Sequence, residues 1–359
     1  MNHKIKRNVL LVGSLPFEDE HTAMNLSMDI LRDKLHSIPD GEVGEKSERY
    51  PMGHRTAWIQ SIIDLCEEDT DSWKVIKQGE RNEKGLPVSY EKVIKLHPKL
   101  PPNKMLEKLD FKWVEYFKRS YPIFKKLRQE KQQDSLKFQV GLPTGLVIAM
   151  TMMKPLTAIR YAAVFNQRIA YEANEILKLA DPGDVVFQIE VPGELAMAYK
   201  LPKFLVSLSV QTIIGLANKI NVAPSFGIHI CFGDLNNEAL TQAKTLNKMV
   251  HFTNKLVQKW PATHQLDYIH FPLAEASDPP PMDAAYYKVL KNINMPDGAR
   301  FIAGFIHEKR TYEEHKVILE TLENTRGHRV DVACSCGLGR RTPEVAMELI
   351  KLSSDLTHV

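Results

Sequence analysis

Eight short apolar runs, each broken at its end by glycine, proline or a polar residue, constrain this chain more than any other feature. They cover Asn8 to Gly13, Ser37 to Gly41, Lys137 to Pro143, Asp184 to Pro192, Ser225 to Gly233, Leu266 to Pro272, Arg300 to Ile306 and Arg329 to Gly337. Most are continuously apolar, the pattern of parallel strands covered on both faces. Between them lie helix-like stretches, several with apolar residues at three-to-four spacing: His21 to Leu35, Pro155 to Leu179, Lys203 to Ile220, Asn237 to Trp260, Asp283 to Asn292, Thr311 to Thr325 and Pro343 to Ser354. Thr342-Pro343 reads as an N-cap followed by proline in the first helical position. Eight such units predict an α/β fold, a single (β/α)8 barrel over residues 1–359.

One interval does not fit the repeat. Val43 to Leu136 is far too long for one crossover and is rich in Lys, Glu and Pro, so it predicts an insertion after the second strand, over about 44–136. Helices of its own are expected at Arg55 to Cys66 and Phe111 to Gln129. Its lysines between Lys92 and Lys131 read as a solvated face. Whether it covers a pocket or joins a second copy into a homodimer stays open. No repeat, low-complexity tract or linker divides the chain.

Composition excludes several classes. The chain has 359 residues, 43% of them hydrophobic, with 47 basic against 44 acidic side chains, a balance that points to neither nucleic acid nor a membrane surface. The basic start, Met1-Asn-His-Lys-Ile-Lys-Arg, leads only into a strand-length run, so neither a signal peptide nor a spanning helix is expected. Four cysteines in so long a chain, three at the ends of strand-like runs, predict reduced thiols and a cytoplasmic protein.

A barrel of this kind places its active site at the C-terminal strand ends, so what each run ends with is informative. The endings are Gly13-Ser14-Leu15-Pro16, Asp40-Gly41-Glu42, Gly141-Leu142-Pro143-Thr144, Gln188-Ile189-Glu190-Val191-Pro192, His229-Ile230-Cys231, His270-Phe271-Pro272, Phe305-Ile306-His307 and Cys334-Ser335-Cys336-Gly337. Residues two apart on a strand share a side, so His229 and Cys231 emerge together. A lone histidine at a strand end is more often packed than metal-bound; with Cys231 beside it and Cys336 ending another run, the balance moves to zinc. Cys334 reads as a small buried thiol and Cys66 as core. For Glu42 and Glu190 a salt bridge, for His307 a bond to a backbone carbonyl, and for Gly13-Ser14 a simple turn are the alternatives to a site role.

Taken in order, these endings resemble the catalytic domain of cobalamin-independent methionine synthase, within the superfamily that also holds uroporphyrinogen decarboxylase and epoxyalkane:coenzyme M transferases. The resemblance runs from Gly13 to Arg341, in register with all eight strands. It implies a zinc-dependent transfer of an alkyl group, methyl in the best-known form, from an alkyl donor to a small thiol. By resemblance His229, Cys231 and Cys336 are the metal ligands, Ser14, Glu42 and Glu190 hold the amino-acid thiol, and His307 moves a proton on or off the departing group.

Departures carry weight too. Where the family has a glutamate ligand on the sixth strand this chain has Pro272; His270, two residues earlier, and Glu275, in the loop beyond, are the candidates to replace it. The family's aspartate for the amino group is Glu190 here, one methylene longer. The third-strand loop lacks the tryptophan on which the family stacks folate, so a donor other than methyltetrahydrofolate is expected. Arg340 and Arg341 fit either a ligand anion or a structural role. The readings from another class are a zinc-free lyase or decarboxylase of the same superfamily, or a ligand-binding barrel.

Overall fold

The computed structural model describes residues 6–221 and 224–359. Eight parallel strands form one sheet: β1 (Val9–Leu10), β2 (Ser37–Pro39), β3 (Lys137–Pro143), β4 (Val185–Glu190), β5 (Ser225–His229), β6 (Leu266–Pro272), β7 (Arg300–Ile306) and β8 (Asp331–Cys334). Their spatial order is sequential from β2 through β8, with β8 paired to β1. A single parallel bridge between Val9 and Leu35 closes the ring, completing the (β/α)8 barrel.

The two faces of the strands separate cleanly. Outward residues such as Phe138, Phe187, Ile228, Phe271 and Phe305 join the large core beneath the helices. Inward residues Leu10, Val12, Val186, Tyr268, Ile302 and Ala333 form a separate cluster in the lumen. Above it lies a polar layer. Gln139 Nε2 donates to the carbonyls of Leu11 and Val12, both at 3.0 Å, while Gln188 Nε2 donates to the Val12 carbonyl at 2.6 Å. Tyr268 Oη donates to Gln188 Oε1 at 3.1 Å. The two residues that follow the short β1 thus have their carbonyls satisfied by side chains from β3 and β4, where a longer strand would have continued the ladder.

Several elements differ from the pattern read in the sequence. Asn237 to Trp260 is helical only over Asn247–Lys259, because Phe232 O accepts from Leu240 N and Thr241 N and so folds the preceding residues into a loop. Asp283 to Asn292 is a short helix, Ala284–Tyr287, running into a 3-10 turn, Lys288–Asn292. Two helices appear that the periodicity did not single out, Gly145–Met152 and Pro192–Lys200. The signals were present: Thr144 caps the first through its side chain, and Pro192 stands in the first turn of the second.

Between β2 and β3 the chain forms a 3-10 turn, His54–Ala57, a helix, Ile59–Glu68, an antiparallel hairpin of Trp73–Lys77 with Lys95–Pro98, and helices Pro102–Lys108 and Trp113–Glu130. The hairpin was not foreseen, since its strands are short and half exposed. The long helix packs against Glu20–Leu31 and Pro155–Leu179 as a barrel helix does. Its start is held by buried Glu172, which accepts from Phe111 N at 2.7 Å and Trp113 N at 2.8 Å. Among the described residues no helix is long and apolar enough to cross a membrane.

Candidate metal centre

Three side chains from two distant parts of the chain converge at the mouth. One donor atom each from His229, Cys231 and Cys336 lies within 4.8 Å of the other two. Cys336 Sγ is 3.7 Å from Cys231 Sγ and 3.8 Å from His229 Nε2. His229 ends β5 and Cys231 follows on the same side, as the two-residue period requires. Cys336 arrives differently from the sequence expectation: β8 stops at Cys334, with a register shift after Ala333, and Cys336 reaches the mouth from the loop beyond. No disulfide forms; all four cysteines are free thiols.

A chain of hydrogen bonds fixes which nitrogen of His229 faces the sulfurs. His270 Nε2 lies 2.9 Å from the carbonyl of Cys334, which can only accept, so that nitrogen carries the hydrogen. Burial lowers the His270 pKa to about 4, so the ring is neutral and its Nδ1 accepts. The partner of that Nδ1, at 2.8 Å, is His229 Nδ1, which therefore donates. His229 is left with a bare lone pair on Nε2, directed at the two thiols. Burial, and then the neighbouring His270, push its own pKa well down, so the neutral imidazole is the stable form. A ligating histidine braced at its far nitrogen is the usual arrangement around metals.

His270 is therefore bonded at both nitrogens behind His229, and as placed it is neither a replacement ligand nor a proton carrier. Gly304 makes this possible, because a Cβ there would stand 2.4 Å from His270 Nε2. Glu275 also faces elsewhere, accepting from Ala243 N at 2.7 Å. Among the described residues, no fourth His, Cys, Asp or Glu joins the cluster. His307 is buried, with Nε2 3.1 Å from the Ala276 carbonyl and Nδ1 accepting from Lys309 N at 3.1 Å. Both its nitrogens serve the backbone, the structural alternative weighed above, and it does not border the chamber.

Beside this cluster is a chamber of about 50 Å³, bordered by Ser14, Glu42 and Glu190 together with His229, Cys231 and Cys336. Glu42 and Glu190 face each other: a Cβ on Gly141 would stand 2.8 Å from Glu42 Oε1 and 2.9 Å from Glu190 Oε1. Burial, and then the charge of Glu190, raise the Glu42 pKa to about 8. Burial, and then Cys336, raise that of Glu190 to about 7. No salt bridge neutralises either, whereas Asp40 is taken up by Arg55 at 2.6 Å and by Ser120 at 2.6 Å. Asp40 also accepts from Glu42 N at 2.9 Å, steadying a backbone with φ of +48°. Arg340 Nη1 lies 3.4 Å from Ser14 Oγ, which also borders the chamber. Arg341 pairs instead with Asp234 and Glu308, at 3.5 and 3.4 Å.

Sequence reasoning passed over Trp58 and Asp234, which also border the chamber. Trp58 comes from the insertion, where no periodicity points inward. Asp234 directly follows Phe232-Gly233 after β5, and its place at a strand end was the available signal.

No family sequence model matches the chain, and no curated protein is similar to it in sequence. Among solved structures, a B12-independent methionine synthase from a Shewanella species, in complex with selenomethionine, matches with a TM-score of 0.59 at 14% identity, over 98% of this chain and 97% of that one. A Listeria monocytogenes protein named as a vitamin-B12-independent methionine synthase matches at 12% identity and a TM-score of 0.45, over 94% of this chain and 86% of that one, too loosely to add to the argument. The Shewanella likeness establishes the fold across nearly the whole chain.

Proposed function

We propose that this barrel is a zinc-dependent transferase that moves an alkyl group, methyl in the simplest case, onto the thiol of a small amino acid. What carries this reading is the convergence of His229 Nε2, Cys231 Sγ and Cys336 Sγ within 4.8 Å, with the histidine lone pair aimed inward. The donor set fits the metal. Tetrahedral zinc with zinc–sulfur bonds of about 2.3 Å would set two sulfurs about 3.8 Å apart, and the two here are 3.7 Å apart. When bound by one nitrogen and two sulfurs, zinc leaves a position for an incoming thiol and lowers its pKa.

The chain's own residues select and orient that thiol. The carboxylate pair Glu42 and Glu190 lacks a cation, and an α-ammonium would supply one while drawing both pKa values down. Arg340 and Ser14 offer a guanidinium and a hydroxyl to the α-carboxylate. With both ends held, the sulfur lies toward the cysteines. In the transfer, a lone pair on sulfur forms the new carbon–sulfur bond as the bond from that carbon to the leaving heteroatom breaks. The heteroatom keeps the electron pair and takes up the proton that the thiol gave up, so thiol plus donor become thioether plus protonated leaving group.

The Shewanella protein is a complex with selenomethionine, an amino acid with a methylated chalcogen, which accords with a thioether product here. Four free thiols, two of them 3.7 Å apart, suit a reducing compartment such as the cytoplasm. Cobalt(II) loading under reducing conditions tests the centre. We expect one cobalt per chain, thiolate charge-transfer absorption and the strong visible bands of a tetrahedral site, which shift when homocysteine is added. Protein that takes up neither cobalt nor zinc sinks the reading.

A further inference from the structure

Next to the metal chamber runs a larger apolar groove of about 380 Å³, sharing Trp58, Pro192, Gly233, Asp234 and Arg340 with it. Small-molecule sites fall in the range of about 300–1,000 Å³. Leu146, Val147 and Met150 of one helix, and Ala196 and Met197 of another, give the groove an apolar wall. The inserted segment closes the other side with Tyr90 and Val93.

The passage between groove and chamber is where polar atoms are left unbonded. Both carboxylate oxygens of Asp234 are buried without a hydrogen-bond partner, on a side chain only 2% exposed. Arg341 Nη1, at 3.5 Å, attracts the carboxylate without closing a hydrogen bond. Arg340 Nε is buried without an acceptor, and Trp58 Nε1 is aimed at Glu190 without closing a bond to it. Trp58 holds φ of +54° and ψ of −127°, a backbone that a tryptophan keeps only under constraint.

Buried polar groups in native proteins are nearly always satisfied, so this concentration of open valences calls for a partner. Asp234 needs hydrogen-bond donors, and Arg340 beside it needs an acceptor. A neutral group offering both suits the pair. A cationic head would meet the two arginines, and an anionic one would meet Asp234.

We propose that the groove binds a neutral amphiphile, a long apolar body ending in an amide or similar paired donor and acceptor, with the body along the helix wall and the head between Asp234 and Arg340. The groove's ligand is proposed for its binding alone, which does not rest on the transferase reading. Seated this way, the carbons next to the head lie at the entrance to the chamber that Cys231 and Cys336 border.

Zinc-loaded full-length protein is titrated with the fluorescent probe N-phenyl-1-naphthylamine, and the probe is then displaced with dodecanamide or with methyl dodecanoate, which has no donor. We expect saturable binding of one probe per chain and displacement by the amide at least tenfold better than by the ester. Asp234→Ala should erase that preference while keeping probe binding. Met150→Trp, at a partly exposed wall position, should weaken probe binding at least tenfold, with Met197→Trp as the second variant if the first is unstable. Absence of saturable binding, or equal displacement by amide and ester in the unaltered protein, overturns the proposal. Zinc content read on the same samples separates the two claims: protein that binds the amide but holds no metal supports the groove and removes the transferase, while zinc-bearing protein that ignores the probe does the reverse.

Discussion

The two sides of the barrel mouth are finished to different degrees. On the β5 side every ring nitrogen of His229 and His270 is committed, from the Cys334 carbonyl through His270 to the lone pair facing Cys336. On the side built by the insertion and the loops after β5 and β8, Asp234, Arg340 and Trp58 carry buried polar atoms with nothing bonded to them, and at the ends of β2 and β4 Glu42 faces Glu190 without a counter-ion. The first side has three donor atoms already aimed at one point. The second keeps open hydrogen-bonding capacity, which the proposed thiol and groove ligand would take up.

That contrast makes graded predictions. The largest effect belongs to Cys336→Ser: metal content, read by plasma mass spectrometry, should fall from about one zinc per chain to near zero, and turnover with it. His270→Ala should keep the ligands but free the far nitrogen of His229, weakening zinc by about 10–100-fold in a chelator competition. Equal affinity in the variant would mean the relay through Cys334 has no hold on the ligand.

Next comes the carboxylate pair, read in metal-free protein. Glu42 has a native pKa of about 8 against an ordinary 4.5, so between those values the folded chain binds a proton that the unfolded chain has released. Stability should therefore fall as pH rises from about 4.5 to 8, seen as a declining thermal midpoint. Glu42→Gln should flatten that decline in part, with some slope remaining because Glu190 and buried Glu194 also sit raised, each to about 7. A slope unchanged by the substitution would place Glu42 in water. The smallest effect is at the clamp between the insertion and the β5 loop. Tyr90 Oη accepts from Leu235 N at 3.1 Å, and Tyr90→Phe should cost about 0.5–1.5 kcal/mol in denaturant unfolding, with zinc affinity unchanged.

The committed side was also the legible one. A two-residue period puts His229 and Cys231 together in any strand, and the glycine breaks mark where strands end, so the three side chains that converge could be named from the chain alone. The barrel was legible for the same reason, since runs buried on both faces are apolar throughout. What escaped depends on contacts between distant segments. Nothing in Asp267 to Pro272 says that His270 spends both nitrogens on its neighbours, and nothing around His307 says that Lys309 and Ala276 claim that ring. The groove escaped because its wall is two helices hidden in apolar or mixed sequence, and its far side a hairpin-bearing segment whose inward residues follow no period.

The glutamines in the lumen have an effect that reaches the mouth. Gln139 and Gln188 hold Leu11 and Val12, just past β1, like spokes to a hub, and Gln188 Nε2 also donates to Glu190 Oε1 at 3.0 Å. The ring's most thinly laced joint, at Val9 and Leu35, is thereby tied to a carboxylate that borders the chamber. An occupant that holds Glu190 in place tightens the hoop itself, so filling the chamber should be felt as slower amide exchange around the first strand, away from the chamber.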